Sequence, residues 1–488
     1  MSERIVPTHR KCKILATVGP ALMDEEMLQR AMEAGVDGFR FNFSHGDIEQ
    51  YREVLGRIRR LSEEINKPVA ALADLQGPKI RVGELEAEEL KLQEGERVWI
   101  YESSASPPEE RPAVPITYDN LVAEVEPGEE IFINDGIIQI EVLKRHSGCL
   151  EGKVITGGLL WSRKGVNLPD SELKVSALTE KDRRDLRGIV EADFDMVALS
   201  FVRRPEDLGE VRQILRDTGR PVDLIAKIEH RRALDNLDAI INEVEGVMVA
   251  RGDLGVEISP QRVPYYQKQI ISKANRRGRI VITATQMLET MIHNPRPTRA
   301  ETSDVANAVI DGSDVVMLSG ETAVGDHPLR AIKTMDDIVT ATEKDFSRRP
   351  PGLRGSEKNM EDYSRQIAIS TSLSAARSAN EIDASALIIP TFSGFTARLA
   401  SNTDVQAPII ALCPSQTARQ KLALYRNVHT YSLGMIEDTD RLIDKAVEIS
   451  REHGFTSPGD RLVLLAGLPL SRPGVTNFMH IIEVGNSG

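Results

Sequence analysis

Cysteine is scarce. The three in the chain, Cys12, Cys149 and Cys413, lie far apart and are odd in number, which leaves no metal-type spacing and argues against a disulfide framework. No run of about 18 apolar residues occurs, so no segment is expected to span a membrane. The opening MSERIVPTHRKCK lacks the apolar centre of a secretory signal, and a cytoplasmic protein is the expectation. Positive charge is in deficit: 61 Lys and Arg against 74 Asp and Glu give a formal net charge of −13. That argues against non-specific binding to nucleic acid or an anionic membrane, while leaving room for a local basic pocket that holds a small anion. Tandem repeats, low-complexity tracts, a GxxxxGK[ST] loop and the HRD/DFG set of protein kinases are also absent. A nucleotide would therefore bind by another mode.

What is present is an ordinary globular composition, 41% hydrophobic and 28% charged. At about 150 residues per domain, 488 residues suggest roughly three domains. Apolar runs at 14–18, 38–43 and 69–75 alternate with helical periodicity at 24–34 and from Ile48 through Tyr51, Val54, Leu55, Ile58, Leu61 and Ile65. From about 83 to 165 the text breaks into short strands and turns. Strands are expected at 97–101, 131–133 and 137–142, with a hairpin signal at Asn134-Asp135-Gly136. A small β domain inserted into an α/β domain explains the interruption. Beyond Leu168 the alternation resumes: Thr179 is a helix N-cap, and strands are expected at 196–201, 223–228, 246–251, 279–285 and 314–319. Three strands before the insertion and five after it make eight βα units, the arithmetic of a TIM barrel, with an open doubly wound sheet as the alternative. A Pro/Arg/Gly-rich linker at 347–355 leads to a last α/β domain with strands at 386–392, 408–413, 428–433, 462–466 and 479–484. The expected boundaries are 1–82 with 168–344 for the barrel, 83–167 for the insertion and 345–488 for the C-terminal domain.

A TIM barrel carries its site at the C-terminal ends of its strands. Those ends read Arg40, Asn42, Ser44 and His45; Asp74 followed by Gly77-Pro78-Lys79 and Arg81; Ser200; Lys227 and Glu229; Arg251-Gly252-Asp253; Thr285; Ser319 and Glu321. Glu229 and Asp253 can supply two carboxylates to magnesium, which takes few protein ligands. Lys227, Arg40 and Arg81 offer charge to a phosphoryl group, and such a site works by positioning and electrostatics. Gly252 allows close backbone approach, and the amides of Gly252 and Asp253 can hold a carboxylate if a helix begins there. Taken singly, each has a plain reading as an ion pair, a cap or a turn residue. Their recurrence at successive strand ends is harder to read that way.

The segments KILATVGP, FRFNFSHG, DLQGPKIRVG, KGVNLP, LSFVR, AKIE, MVARGDLGVE, ATQMLETM, RPTRAETSDVANAV and MLSGETAVGDHP occur in this order. Together, from about Lys13 to His327, they closely resemble the pyruvate kinases; the C-terminal domain resembles them more loosely. The resemblance implies a TIM (β/α)8 barrel, an inserted small β-barrel lid domain and a C-terminal α/β domain, assembled as a homotetramer. It implies transfer of phosphate from phosphoenolpyruvate to ADP, giving ATP and pyruvate, with Mg2+ or Mn2+ on Glu229 and Asp253 and a second magnesium arriving with ADP. Lys227 and Arg40 would hold the phosphoryl group. Gly252, Asp253 and Thr285 would hold the substrate carboxylate. Thr285, backed by Ser319 and Glu321, would stand near the carbon that is protonated. Arg81, Lys164 and His45 are candidates for nucleotide or lid contacts. A solvent-facing Lys227 would make Lys227→Met costly to turnover and neutral to the fold.

One departure concerns potassium, which many pyruvate kinases hold near the positions of Asn42, Ser44, Asp74 and the Leu75 carbonyl. Those enzymes usually read DTKGPEIR where this chain reads DLQGPKIR. Lys79 replaces an acidic residue and can supply the charge of the monovalent ion. Leu75, Gln76, Lys79 and Val82 resemble the potassium-independent branch, so K+ is not expected to be required. In the C-terminal domain the loop Thr391, Phe392, Ser393, Gly394, Phe395 and Thr396 can cradle a phosphate, and a second loop offers Arg472. Phe392 and Phe395 stand where relatives activated by a sugar bisphosphate carry basic residues, so a sugar monophosphate or AMP is the expected effector. Two rival readings remain: a magnesium-dependent lyase or aldolase acting on pyruvate or phosphoenolpyruvate, and a non-catalytic phosphometabolite sensor.

Overall fold

The computed structural model describes residues 10–106, 111–346, 363–436, 438–468 and 475–485. Eight parallel strands close into a barrel. They are β1 (Lys13–Thr17), β2 (Gly38–Asn42), β3 (Ala70–Asp74), β4 (Met196–Leu199), β5 (Asp223–Ile228), β6 (Gly246–Ala250), β7 (Ile280–Ala284) and β8 (Val315–Leu318). Neighbours in sequence are neighbours in the barrel, and β8 pairs with β1. Closure excludes the open sheet. The strands read as largely apolar runs, interrupted by Arg40 and Lys227, because both faces are covered. Helix starts follow local chemistry. Asp24 and Asp47 cap Glu25–Glu33 and Ile48–Glu64, while Thr179 with Asp182 and Thr298 with Glu301 form reciprocal capping boxes.

The insertion is a six-stranded sheet ordered Val166–Asn167, Glu130–Ile133, Ile138–His146, Cys149–Thr156, Arg97–Glu102, Ala113–Ile116, with a separate ribbon of Glu89–Leu92 and Gly158–Trp161. Bridges from Arg81 to Gly165 and from Val82 to Ile116 join its two outer strands. The hairpin at 134–136 is present, with Asn134, Asp135 and Gly136 all at positive φ. Its apolar core, around Ile100, Ile131, Ile140 and Val154, is separate from that of the barrel.

The C-terminal domain has strands β9 (Ala386–Pro390), β10 (Ile409–Cys413), β11 (Val428–Ser432), β12 (Arg461–Ala466) and β13 (Phe478–Glu483), ordered β11-β10-β9-β12-β13 with only β13 antiparallel. It seats against the N-terminal end of the barrel. Leu15, Leu72, Met248 and Ile282 from the barrel interior share one core with Leu387, Leu424 and Tyr425. Gly38 leaves room for this: a Cβ there would lie 2.9 Å from Leu424 Cδ2. The opposite rim stays free for chemistry. The linker at 347–355 lies outside the described residues.

Candidate active site

Four barrel strands deliver a buried charge cluster to the C-terminal rim. Lys227 Nζ lies 2.8 Å from Glu229 Oε1 and 3.2 Å from Asp74 Oδ1, and it donates to Ser200 Oγ at 2.8 Å. Arg40 Nε donates to Asp74 Oδ2 at 2.7 Å, and its Nη1 reaches Thr17 Oγ1 at 3.2 Å. Ser200 Oγ donates to the Leu75 carbonyl at 2.7 Å, and the Phe201 amide donates to Glu229 Oε2 at 2.8 Å. Lys227 therefore does not face solvent: its side chain is 12% exposed. The solvent-facing placement on which a fold-neutral Lys227→Met rested is therefore not what the structure shows. The apolar run before it could not reveal that both of its carboxylate partners stand on the same rim.

Burial shapes the charges. It would lower the Lys227 pKa, but Asp74 and Glu229 outweigh it and hold the ammonium above its usual value. Burial would raise Asp74, and Lys227 and Arg40 pull it below the usual carboxylate range. Glu229 is raised, first by burial and further by Asp253, against the pull of Lys227. Asp253 is half-buried on the helix Arg251–Glu257 that follows β6. Among the described residues no set of three His, Cys, Asp or Glu side chains is placed to hold a metal. A carboxylate pair of this kind, Glu229 with the Asp253 charge acting on it, is the donor set a magnesium ion accepts when substrate oxygens complete its shell.

On the far side of the rim Thr285 sits at φ 67°, followed by Gln286 at φ 53°. A left-handed β-branched residue costs of order 1–3 kcal/mol. Thr285 Oγ1 accepts from the Gly252 amide at 2.8 Å and donates to the Ala284 carbonyl at 2.7 Å. The Gly252 amide offered to a carboxylate is thus engaged by the same threonine. A Cβ on Gly252 would meet only Thr285, at 3.5 Å. Glu321 is fully buried and accepts from the Leu288 amide at 3.0 Å and the Ser319 amide at 2.7 Å, which clamps the end of β8 to the loop after β7. Ser319 Oγ is buried with no hydrogen-bond partner among the described residues.

The remaining candidates scatter. Asn42 Oδ1 accepts from the Ser44 amide at 3.2 Å, and His45 is exposed. Lys79 is exposed and runs along Gly165 of the insertion. The cations paired with Asp74 are Arg40 and Lys227. Arg81 Nη1 donates to the Arg163 carbonyl at 2.9 Å, and Lys164 Nζ lies 5.6 Å from the centre of the Trp161 ring; both belong to the junction between barrel and insertion. In the C-terminal domain Gly394 at φ 83° donates to Thr391 Oγ1, Ser393 Oγ accepts from the Phe395 amide, and Thr396 shares a hydrogen bond with Thr476. The Thr391–Thr396 loop borders a cavity of about 120 Å3 whose described lining carries no lysine or arginine. Arg472 lies outside the described residues. Sequence reasoning gave no part to Glu257, which links the insertion to the barrel through Asn167 Nδ2 at 2.9 Å. No residue pattern marks that pair, 90 positions apart.

Residues 9–332 match the profile described as pyruvate kinase, barrel domain, and 370–482 match pyruvate kinase, alpha/beta domain. A protein of Geobacillus stearothermophilus named pyruvate kinase is 39% identical over 97% of this chain and 81% of its own length. Proteins with the same name from Clostridium acetobutylicum and Clostridium perfringens are 39% and 38% identical over 97% of this chain and 99% and 100% of their own lengths. With both of its domains matched and relatives aligned over nearly its full length, the chain belongs to the pyruvate kinase family.

Proposed function

We propose that this protein transfers the phosphoryl group of phosphoenolpyruvate to ADP, releasing pyruvate, at the rim that gathers Arg40, Lys227, Glu229, Asp253 and Thr285. The observation that carries the reading is the Lys227 ammonium held between Asp74 and Glu229 with Arg40 beside it. A cation fixed in a low-dielectric site stabilises charge on a phosphoryl group without reorganising during transfer. The bond from phosphorus to the enol oxygen breaks, a bond to a terminal oxygen of ADP forms, and the enolate takes a proton on carbon. Lys227 and Arg40 stabilise the moving phosphoryl group. Thr285 stands by the carbon, with Ser319 and Glu321 behind it. Glu229 and Asp253 would hold a magnesium or manganese ion, which when bound neutralises phosphate charge. The inserted domain acts as a lid that excludes water from ADP, with Arg81, Lys164 and His45 on its approach. The test is pyruvate formation from phosphoenolpyruvate, ADP and magnesium. Pyruvate release that does not depend on ADP would favour a lyase, and no observation favours that or the sensor reading.

Potassium is not required in this reading. Asp74 already has two cations, the Leu75 carbonyl is bonded by Ser200, and Asn42 Oδ1 by the Ser44 amide. The charge comes from Arg40 and Lys227 more directly than from Lys79. Turnover in potassium-free buffer should match that with potassium within about twofold, against the tenfold that 1.4 kcal/mol of lost stabilisation would give. A large stimulation by potassium overturns this. The C-terminal loop of Thr391, Ser393, Gly394 and Thr396 would take a sugar monophosphate or AMP. A homotetramer in the cytoplasm completes the reading.

A further inference from the structure

The turn that holds Thr285 is strained twice over, at Thr285 and again at Gln286, and neither is a glycine. Such a conformation persists only where its surroundings over-determine it. One side chain does so. The Arg251 guanidinium, 9% exposed, donates Nε to the carbonyls of Ala284 and Thr285 at 3.3 Å and Nη2 to the carbonyls of Thr285 at 2.7 Å and Gln286 at 3.2 Å. Two successive left-handed residues turn their carbonyls toward one point, and a planar fork with five donors meets all of them. The other edge of the fork is anchored: Nη1 lies 2.6 Å from Asp304 Oδ2 and 2.7 Å from Asp304 Oδ1, on the helix Arg299–Asp311.

We propose that Arg251 is a positioning residue for the reaction: anchored by Asp304, it holds the Thr285–Gln286 turn left-handed and so keeps Thr285 Oγ1 on the Gly252 amide, facing the substrate. The inference rests on the catalytic placement of Thr285 given above. It assigns a task to the arginine of RGD and to the aspartate of RPTRAETSDVANAV. Arg251 itself touches no reacting atom. Without it the turn relaxes toward negative φ, and Thr285 leaves the Gly252 amide.

Lysine keeps the charge and the pairing with Asp304 but cannot reach three carbonyls at once. Arg251→Lys should lower kcat by roughly tenfold or more, as misplacement of a reacting group does. Gln286 is exposed and outside the reacting groups, so Gln286→Gly alone should leave kcat unchanged. Glycine adopts positive φ freely, so adding Gln286→Gly to Arg251→Lys should recover at least about threefold of the lost kcat. Simple loss of packing would show no such recovery. Asp304→Asn, at a half-exposed side chain, is the second variant should Arg251→Lys not fold, and it should lower kcat severalfold in a folded protein. Wild-type kcat in Arg251→Lys or in Asp304→Asn, or a loss that Gln286→Gly does not relieve, overturns the proposal. Thr285→Ala, assayed alongside, separates the two readings. An active Thr285→Ala defeats the placement of Thr285, whereas an impaired Thr285→Ala beside a normal Arg251→Lys defeats only the role of Arg251.

Discussion

Lys227 keeps its charge where burial works against it, because two carboxylates stand within 3.2 Å. Removing the ammonium does two things. It withdraws the cation that the phosphoryl group needs, and it leaves Asp74 and Glu229 buried with Arg40 as the remaining nearby cation. Breaking a buried pair by deleting one partner costs about 3–5 kcal/mol. Lys227→Met should therefore lower kcat by about a thousandfold or more and also lower the Tm by several degrees, measured by pyruvate assay and thermal unfolding. A Lys227→Met variant as stable as the wild type would mean that the cluster contributes nothing to the fold. Phe201 shows how local the arrangement is: at φ 57° it turns its amide onto Glu229, so the carboxylate is held from two sides.

The helix Arg251–Glu257 carries Asp253 on its first turn and ends on Glu257, where Asn167 of the insertion meets the barrel. Burial first, with Asp253 and Glu229 adding to it and the hydrogen bonds from Asn167 and the Arg231 amide opposing it, leaves the Glu257 carboxyl pushed up to about 7. Burial also pulls His230 down to about 4, so the imidazole is uncharged near neutrality and the 3.4 Å contact is no standing ion pair despite its spacing. A carboxyl whose folded pKa exceeds its ordinary 4.5 binds more protons folded than unfolded. Stability then falls as pH rises from 4.5 toward 7, by about 3 kcal/mol in full. Glu257→Gln keeps an acceptor for Asn167 and removes the penalty. Its Tm should match the wild type at pH 4.5–5 and exceed it at pH 8; parallel curves would show that Glu257 titrates normally. At this scale the sequence is readable in part. Period points to the eight strands, and the helices at Asp24 and Thr179 are legible because each begins by hydrogen bonds spanning two or three residues. The expected strands at 196–201 and 279–285 end early, at Leu199 and Ala284, because Phe201 and Thr285 continue the β-rich text while their backbones turn left-handed. That turn is imposed by Glu229 and Arg251, distant in sequence. The site's residue types were legible because each follows an apolar run. Their partners were not, since Lys227 meets Asp74 only once the barrel closes.

Across the whole molecule the three parts are joined unequally. The insertion has its own apolar core and meets the barrel through polar links, among them Asn167 with Glu257 and Glu129 with Ser171. The C-terminal domain shares one core with the barrel interior, reinforced by Lys421, Arg398 and the Tyr425 hydroxyl around Asp223 at the start of β5. Domains that share a core lose it together, whereas one that rests on polar contacts opens alone. Leu424 is the side chain to test, fully buried and wedged over Gly38 at the closed end of the barrel. Leu424→Ala leaves a cavity and should cost about 2–5 kcal/mol. Hydrogen exchange should then speed up together in β9, β10 and the barrel strands, while the insertion strands Ile138–His146 and Cys149–Thr156 keep their protection. Faster exchange confined to β9 and β10 would show that the barrel stands without its plug, and the C-terminal domain would then be an appendage that can come and go without disturbing the rim where Lys227 and Glu229 meet.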